Sequence, residues 1–202
     1  MIAALKSACQ FIYSEKSRIA IGSAKAVAGV LAVIPYDKLR CFFYDHSEFY
    51  KKLAGRAIDK QEAVQAAEFF SGKNLFVLER FVNFSTVFIL PVFEEWVFRS
   101  KLYTEMEKMA KSLDPVVRKV LLLVGNSALF ACIHLSPFQK RDNAHFFFHT
   151  FQMGLLFTTL RQFTGDATAS IGAHIFLNAR SIHQLFYENN RSFQRIGQFL
   201  SI

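Results

Sequence analysis

A chain of 202 residues and 23.1 kDa has ample length for one buried core, and it excludes two independent enzymes. The composition is 52% hydrophobic with 24 Phe and a mean hydropathy of +0.21, which excludes a disordered tail, a collagen-like fibre and a disulfide scaffold. A net charge of +8 suits either nucleic acid or the anionic face of a membrane, so the placement of the charges has to separate the two.

The first apolar stretch, residues 20–34, follows Lys6, Lys16 and Arg18 and is interrupted by Lys25. No small-x-small cleavage site follows it, so it reads as a retained segment closed by Pro35 and not as a signal peptide. A polar, amphipathic helix is expected over 59–70, and Gly72 to Asn74 separates it from a span starting near Leu75. Asp114 and Pro115 read as N-cap and first position of a helix over 116–134, which Ser136-Pro137 ends. Asp142 can cap the next helix, 144 to about 163, and the turn Thr164-Gly165-Asp166 leads into a helix over 167–188. The tail 189–202 reads as a short amphipathic helix or a frayed end. Strand alternation and hairpin dipeptides are missing.

Lys and Arg concentrate at 38–60 and 101–119, whereas 82–93, 120–133, 146–160 and 167–177 contain none. That is the layout of apolar spans separated by basic loops, with both basic loops on the cytoplasmic side. No run reaches about 20 uninterrupted apolar residues, but each does once a few Asn, Thr, His or Glu are admitted inside a packed bundle. The expected fold is all-α, a multi-pass transmembrane helical bundle of about five to seven helices in one domain spanning the chain. A soluble Phe-rich helical core is the competing reading. Cys9, Cys41 and Cys132 are odd in number and widely spaced, which fits a reducing or membrane setting.

Three segments carry polar groups into apolar helices. In the first, residues 88–103, Glu94 and Glu95 follow a mostly aliphatic and aromatic run where an unpartnered ionised carboxylate would be prohibitive. On a helix Glu95 and Arg99 stand at i and i+4 and can pair, while Glu94 points about 100° away and stays free. A helix-surface salt bridge at a membrane boundary would explain the pair equally well. In the second, residues 127–138, Phe130 and His134 share a face, and a lone His there is often a satisfied core residue. In the third, residues 169–179, His174 and Asn178 share a face, as a hydrogen-bonded helix contact or as chemistry. Together the three offer a carboxylate, an imidazole, and an imidazole plus an amide at comparable depth, a set able to hydrolyse an acyl bond.

Other residues invite weaker readings. His145 and His149 also stand at i and i+4 but lack the neighbouring Glu of a zinc-protease helix. His46 reads as solvated, and His183 has no acid at helical spacing. Cys132 lies off the Phe130/His134 face, which disfavours a nucleophilic role. Phe146 to Phe148 lack interleaved Arg or Lys, so nucleic acid is not an expected partner.

In their order, Glu94-Glu95-x-x-x-Arg99, Phe130-x-x-x-His134 and His174-x-x-x-Asn178 resemble the three motifs of the CAAX prenyl protease and bacteriocin-processing family of intramembrane proteases. Pro91, Gly154 and Gly165 agree with that pattern, and the resemblance covers about 88–179. It implies an all-helical integral membrane endopeptidase, expected in a bacterial cytoplasmic membrane, that hydrolyses a peptide or protein substrate, in some members prenylated. Carried over, Glu94 becomes the base that activates water with help from His134. His174 and Asn178 take the oxyanion role, while Glu95 and Arg99 shape the site. A divalent metal such as zinc, held by Glu94, His134 and His174, is slightly favoured over direct glutamate catalysis without a cofactor. Membrane lipid is the other expected partner. The alternative from another class is a non-catalytic membrane scaffold or immunity-type binding protein that keeps the polar cluster for structure.

Overall fold

Pro35 lies inside the first helix and does not end it. The computed structural model describes residues 2–54, 84–135 and 143–189, and in it α1 runs from Ile2 to His46. Proline removes one helical hydrogen bond, but a break in an apolar segment would leave many more backbone groups unpaired. A short α2, Glu48–Ala54, follows. The expected helix over 59–70, the span from Leu75, the Ser136-Pro137 stop, the Asp142 cap and nearly all of the tail lie outside the described residues.

A third helix, α3, occupies residues 85–109 and alternates in geometry: π-helical Ser85–Ile89, α-helical Leu90–Glu95, π-helical Trp96–Leu102 and α-helical Tyr103–Met109. Next comes α4, Pro115–Ile133, which begins as expected: Asp114 Oδ1 accepts from the backbone N–H of Val116 at 2.8 Å and of Val117 at 3.2 Å. The last two helices are α5, Asn143–Thr164, and α6, Thr168–Asn189. The turn between them uses Gly165 at φ 81°, and Asp166 Oδ1 accepts from the Thr168 N–H at 2.9 Å. Among the described residues the fold is all-helical, with no strand.

Packing is built on three pairs: α1 on α6, α4 on α5, and α5 on α6. Small residues set the first. A Cβ on Gly29 would lie 1.9 Å from the Ala169 carbonyl oxygen, and one on Gly172 would lie 2.4 Å from that of Ala26, so the two backbones nearly touch. Ion pairs of Lys25 with Asp166 and of Arg180 with Asp37 bracket this contact. The core where the helices meet contains Val33, Phe98, Phe130, Phe157, Leu160, Ala169 and Ala173.

Residues Glu15–His46 of α1 and the whole of α4 are long and apolar enough to cross a membrane. Their most apolar windows are only 11% and 28% buried, so most of that greasy surface faces outward, unlike the core helix of a soluble domain. Val27 and Leu31 on α1, and Val117, Leu121 and Val124 on α4, are among the exposed side chains.

Candidate active site

The alternation within α3 matters because a π turn leaves backbone carbonyls without their ordinary partners. Side chains from three other helices take them up. Asn178 of α6 donates to the Thr86 carbonyl at 3.0 Å, Asn126 of α4 to that of Phe98 at 2.9 Å, and Arg161 of α5 to that of Arg99 at 2.9 Å. Between the two π segments lies the short α-helical piece that ends in Glu94 and Glu95.

Glu95 and Arg99 are both fully buried. Their closest ion-pair approach is 3.4 Å, from Arg99 Nε to Glu95 Oε2. A surface salt bridge is therefore excluded. Arg99 donates from Nη2 to the Gly154 carbonyl at 3.2 Å, and its guanidinium carbon sits 4.3 Å from the Phe130 ring centre and 5.3 Å from that of Phe157. Aromatic faces thus take part of the positive charge that water would otherwise solvate. The close packing of α5 on α4 explains Gly154, since a Cβ there would lie 3.0 Å from Ser127.

Glu95 Oε1 meets His174 Nδ1 at 3.0 Å, and the ring of His174 stacks on Phe157 at 4.7 Å. An ionised carboxylate only accepts, so Nδ1 carries the hydrogen and Nε2 is turned towards Glu94, at 3.8 Å from its Oε2. His134 follows the same logic. Its Nδ1 lies 2.7 Å from the Phe130 carbonyl oxygen, which also only accepts, and its Nε2 faces Glu94 Oε2 at 3.7 Å. Two imidazole Nε2 atoms therefore converge on one partly buried carboxylate oxygen. Both separations exceed a direct hydrogen bond and are short enough for a single water to bridge.

Glu94, Glu95, Arg99, His134 and His174 are brought together, and Glu94 points away from the Glu95–Arg99 pair as the helical spacing requires. Asn178 lies one turn beyond His174 on α6, with one amide hydrogen committed to Thr86. His46 is exposed and bonds its own helix at the Phe42 carbonyl, and Cys132 is exposed, so neither joins the cluster. Sequence reasoning missed Asn126, Thr158 and Arg161, which support the site from behind: Thr158 donates to Asn126 Oδ1 at 3.2 Å. Asn126, a lone amide in the apolar run 120–133, was the available signal.

The donor types at Glu94 suit a divalent ion: one carboxylate and two imidazoles whose other nitrogens are fixed by a carbonyl and a carboxylate. Their spacing is more open than a closed metal site, and among the described residues no group of three or more His, Cys, Asp or Glu forms one ready to hold an ion.

No curated protein and no solved structure matches the chain. A family model does, over residues 77–180, just over half of the 202 residues, and it contains every residue named in the cluster; its description is type II CAAX prenyl endopeptidase Rce1-like.

Proposed function

The chain belongs to the Rce1-like family of type II CAAX prenyl endopeptidases, and from that premise we propose that it is an intramembrane endopeptidase in which Glu94 activates the attacking water. The observation that supports this reading is the convergence of His134 Nε2 and His174 Nε2 on Glu94 Oε2, at 3.7 and 3.8 Å.

Glu94 takes a proton from water while His134 Nε2 accepts the second water hydrogen and aims the oxygen. The resulting hydroxide adds to the scissile carbonyl carbon, and the carbonyl π electrons move to its oxygen. His174 in its protonated form, flanked by Glu95 at Nδ1 and Glu94 at Nε2, donates to that oxyanion together with the second amide hydrogen of Asn178. The C–N bond then breaks, and Glu94 returns its proton to the leaving amine. Glu95 and Arg99 hold His174 and the π segment and touch no reacting atom. A zinc ion held by Glu94, His134 and His174 would supply Lewis-acid activation of the same water.

In this reading the bundle is multi-pass. The helices α1 and α4 cross the bilayer, and the site lies beside them at a depth where a peptide near a lipid-modified cysteine can reach it.

The test is cleavage of a mixed peptide library, farnesylated C-terminal peptides included, by detergent-purified protein, read by mass spectrometry. Wild type cleaves and Glu94→Gln is at least about 100-fold slower. Unchanged turnover in a folded Glu94→Gln protein overturns the mechanism. Loss of activity with a chelator and recovery on adding Zn2+ supports the metal-assisted form, whereas insensitivity leaves Glu94 as the sole activator. A folded wild type that cleaves nothing favours the scaffold reading.

A further inference from the structure

A cavity of about 230 Å3 opens between the last segment of α3, the first turns of α4 and the end of α5. It is separate from the Glu94 cluster and is lined by Tyr103, Glu107, Arg118, Lys119, Arg161 and Gln162, among others. Three of these side chains are cations and one is an anion. None of Arg118, Lys119 and Arg161 lies within ion-pair distance of a carboxylate among the described residues. Arg161 is fixed in place: its Nε donates to the Arg99 carbonyl, and its guanidinium lies 4.9 Å from the Tyr103 ring centre. That leaves its two terminal amino groups for another partner. Gln162 ties the walls together by donating to the Lys119 carbonyl at 3.0 Å.

The cavity also has a defined position. Arg118 and Lys119 sit in the opening turn of α4, at one end of a helix apolar enough to span a membrane. Along the same helix Val117, Leu121 and Val124 are spaced i, i+4, i+7 and are all exposed. A cavity with an excess of positive charge thus stands at one end of a helix whose exposed side, round from the cavity, is apolar. One ligand chemistry satisfies both at once: a phosphate with hydrocarbon attached.

We propose that this cavity binds the phosphate of an anionic lipid headgroup, with Arg118, Lys119 and Arg161 as its ligands and the acyl chains lying along the exposed face of α4. Glu107 tempers the affinity. Arg161 joins the bound phosphate to the backbone of the π segment that bears Arg99.

The test is binding of phosphatidylglycerol to the detergent-purified full chain, by thermal shift and by native mass spectrometry. Phosphatidylcholine, whose phosphate is neutralised by its own ammonium, and inorganic phosphate serve as the other probes. Phosphatidylglycerol raises the unfolding temperature, phosphatidylcholine does not, and Arg118→Gln/Lys119→Gln weakens binding about tenfold. Glu107→Gln tightens it, and Lys111→Gln, an exposed cation outside the cavity, leaves it unchanged. An equal shift from inorganic phosphate alone keeps the phosphate site but removes the lipid from the proposal. The same phosphatidylglycerol response in the double variant as in wild type, or no response to any probe in a wild type that unfolds cooperatively, overturns it.

Discussion

The imidazole of His174 lies 3.0 Å from the fully buried carboxylate of Glu95 and turns its other nitrogen towards Glu94. The two adjacent glutamates therefore serve the same ring from opposite sides. Glu95 accepts from the Nδ1–H and so fixes the orientation of the ring, in the way that a carboxylate behind an imidazole aims its other nitrogen. In the proposed mechanism it acts through His174, as a positioning residue.

Removing one member of the buried pair strands the other. Arg99→Ala is expected to cost about 3–5 kcal/mol, because Glu95 would keep its charge in a site without water. Glu95→Gln/Arg99→Met should cost less than the two single changes added together. Equilibrium unfolding in mixed micelles of the singles and the double measures this, and strict additivity would show that the pair is not a unit.

Asn178 holds the Thr86 carbonyl and has one amide hydrogen left. Asn178→Ala should lower kcat about 100-fold, the scale of a lost oxyanion donor, with a smaller change in KM. If kcat per folded molecule holds and only the unfolding temperature falls, its role is confined to the π segment.

The contact between α1 and α6 distinguishes neighbouring glycines. Gly29→Ala would drive a methyl group into the backbone of Ala169, which has nowhere to go, and should destabilise by about 1–3 kcal/mol or more. Gly22→Ala on the same helix meets nothing within 4 Å and should be neutral or stabilising by up to about 1 kcal/mol. Equal unfolding temperatures for the two variants would contradict the packing.

Asp166 lies in the turn between α5 and α6, where partial burial pushes its carboxyl up. The hydrogen bonds from the Lys25 ammonium and the Thr168 N–H outweigh that burial and hold the group below its ordinary value of 3.8. A carboxyl depressed in the folded state contributes stability that is complete above the unfolded pKa and is lost as pH falls through the folded one. The gap in unfolding temperature between wild type and Asp166→Asn should stay constant from neutral pH down to about 5 and shrink below about 4. A gap that widens on acidification would reverse the sign of the interaction.

The sequence made the relations along a single helix legible. The Asp114 cap, the turn at Gly165, the shared face of His174 and Asn178, and the opposed directions of Glu94 and Glu95 all follow from spacing and residue type. Relations between helices were not legible. Nothing near Thr86 says that its carbonyl is free, because that depends on a π turn, so the hydrogen-bonded helix contact open to Asn178 beside its oxyanion role had no partner that spacing could name. Lys25 looked like an interruption of an apolar run, and its partner stands 141 residues away. Pro35 read as a stop because local propensity disfavours it in a helix, and packing in an apolar setting overrides propensity. The burial of Arg99 among Phe98, Phe130 and Phe157 could not be read either, since three separate helices supply the rings.

The carbonyls of α3 are held from α4, α5 and α6, all of which leave the ribosome after it. Glu94 and Glu95 are therefore synthesised before anything exists to aim them. Until α6 docks, the nascent chain has Glu94 without His174 and without the brace on Thr86. Under the proposed function, hydrolytic power would arrive only once α6 has docked, which spares the membrane a half-built protease during synthesis.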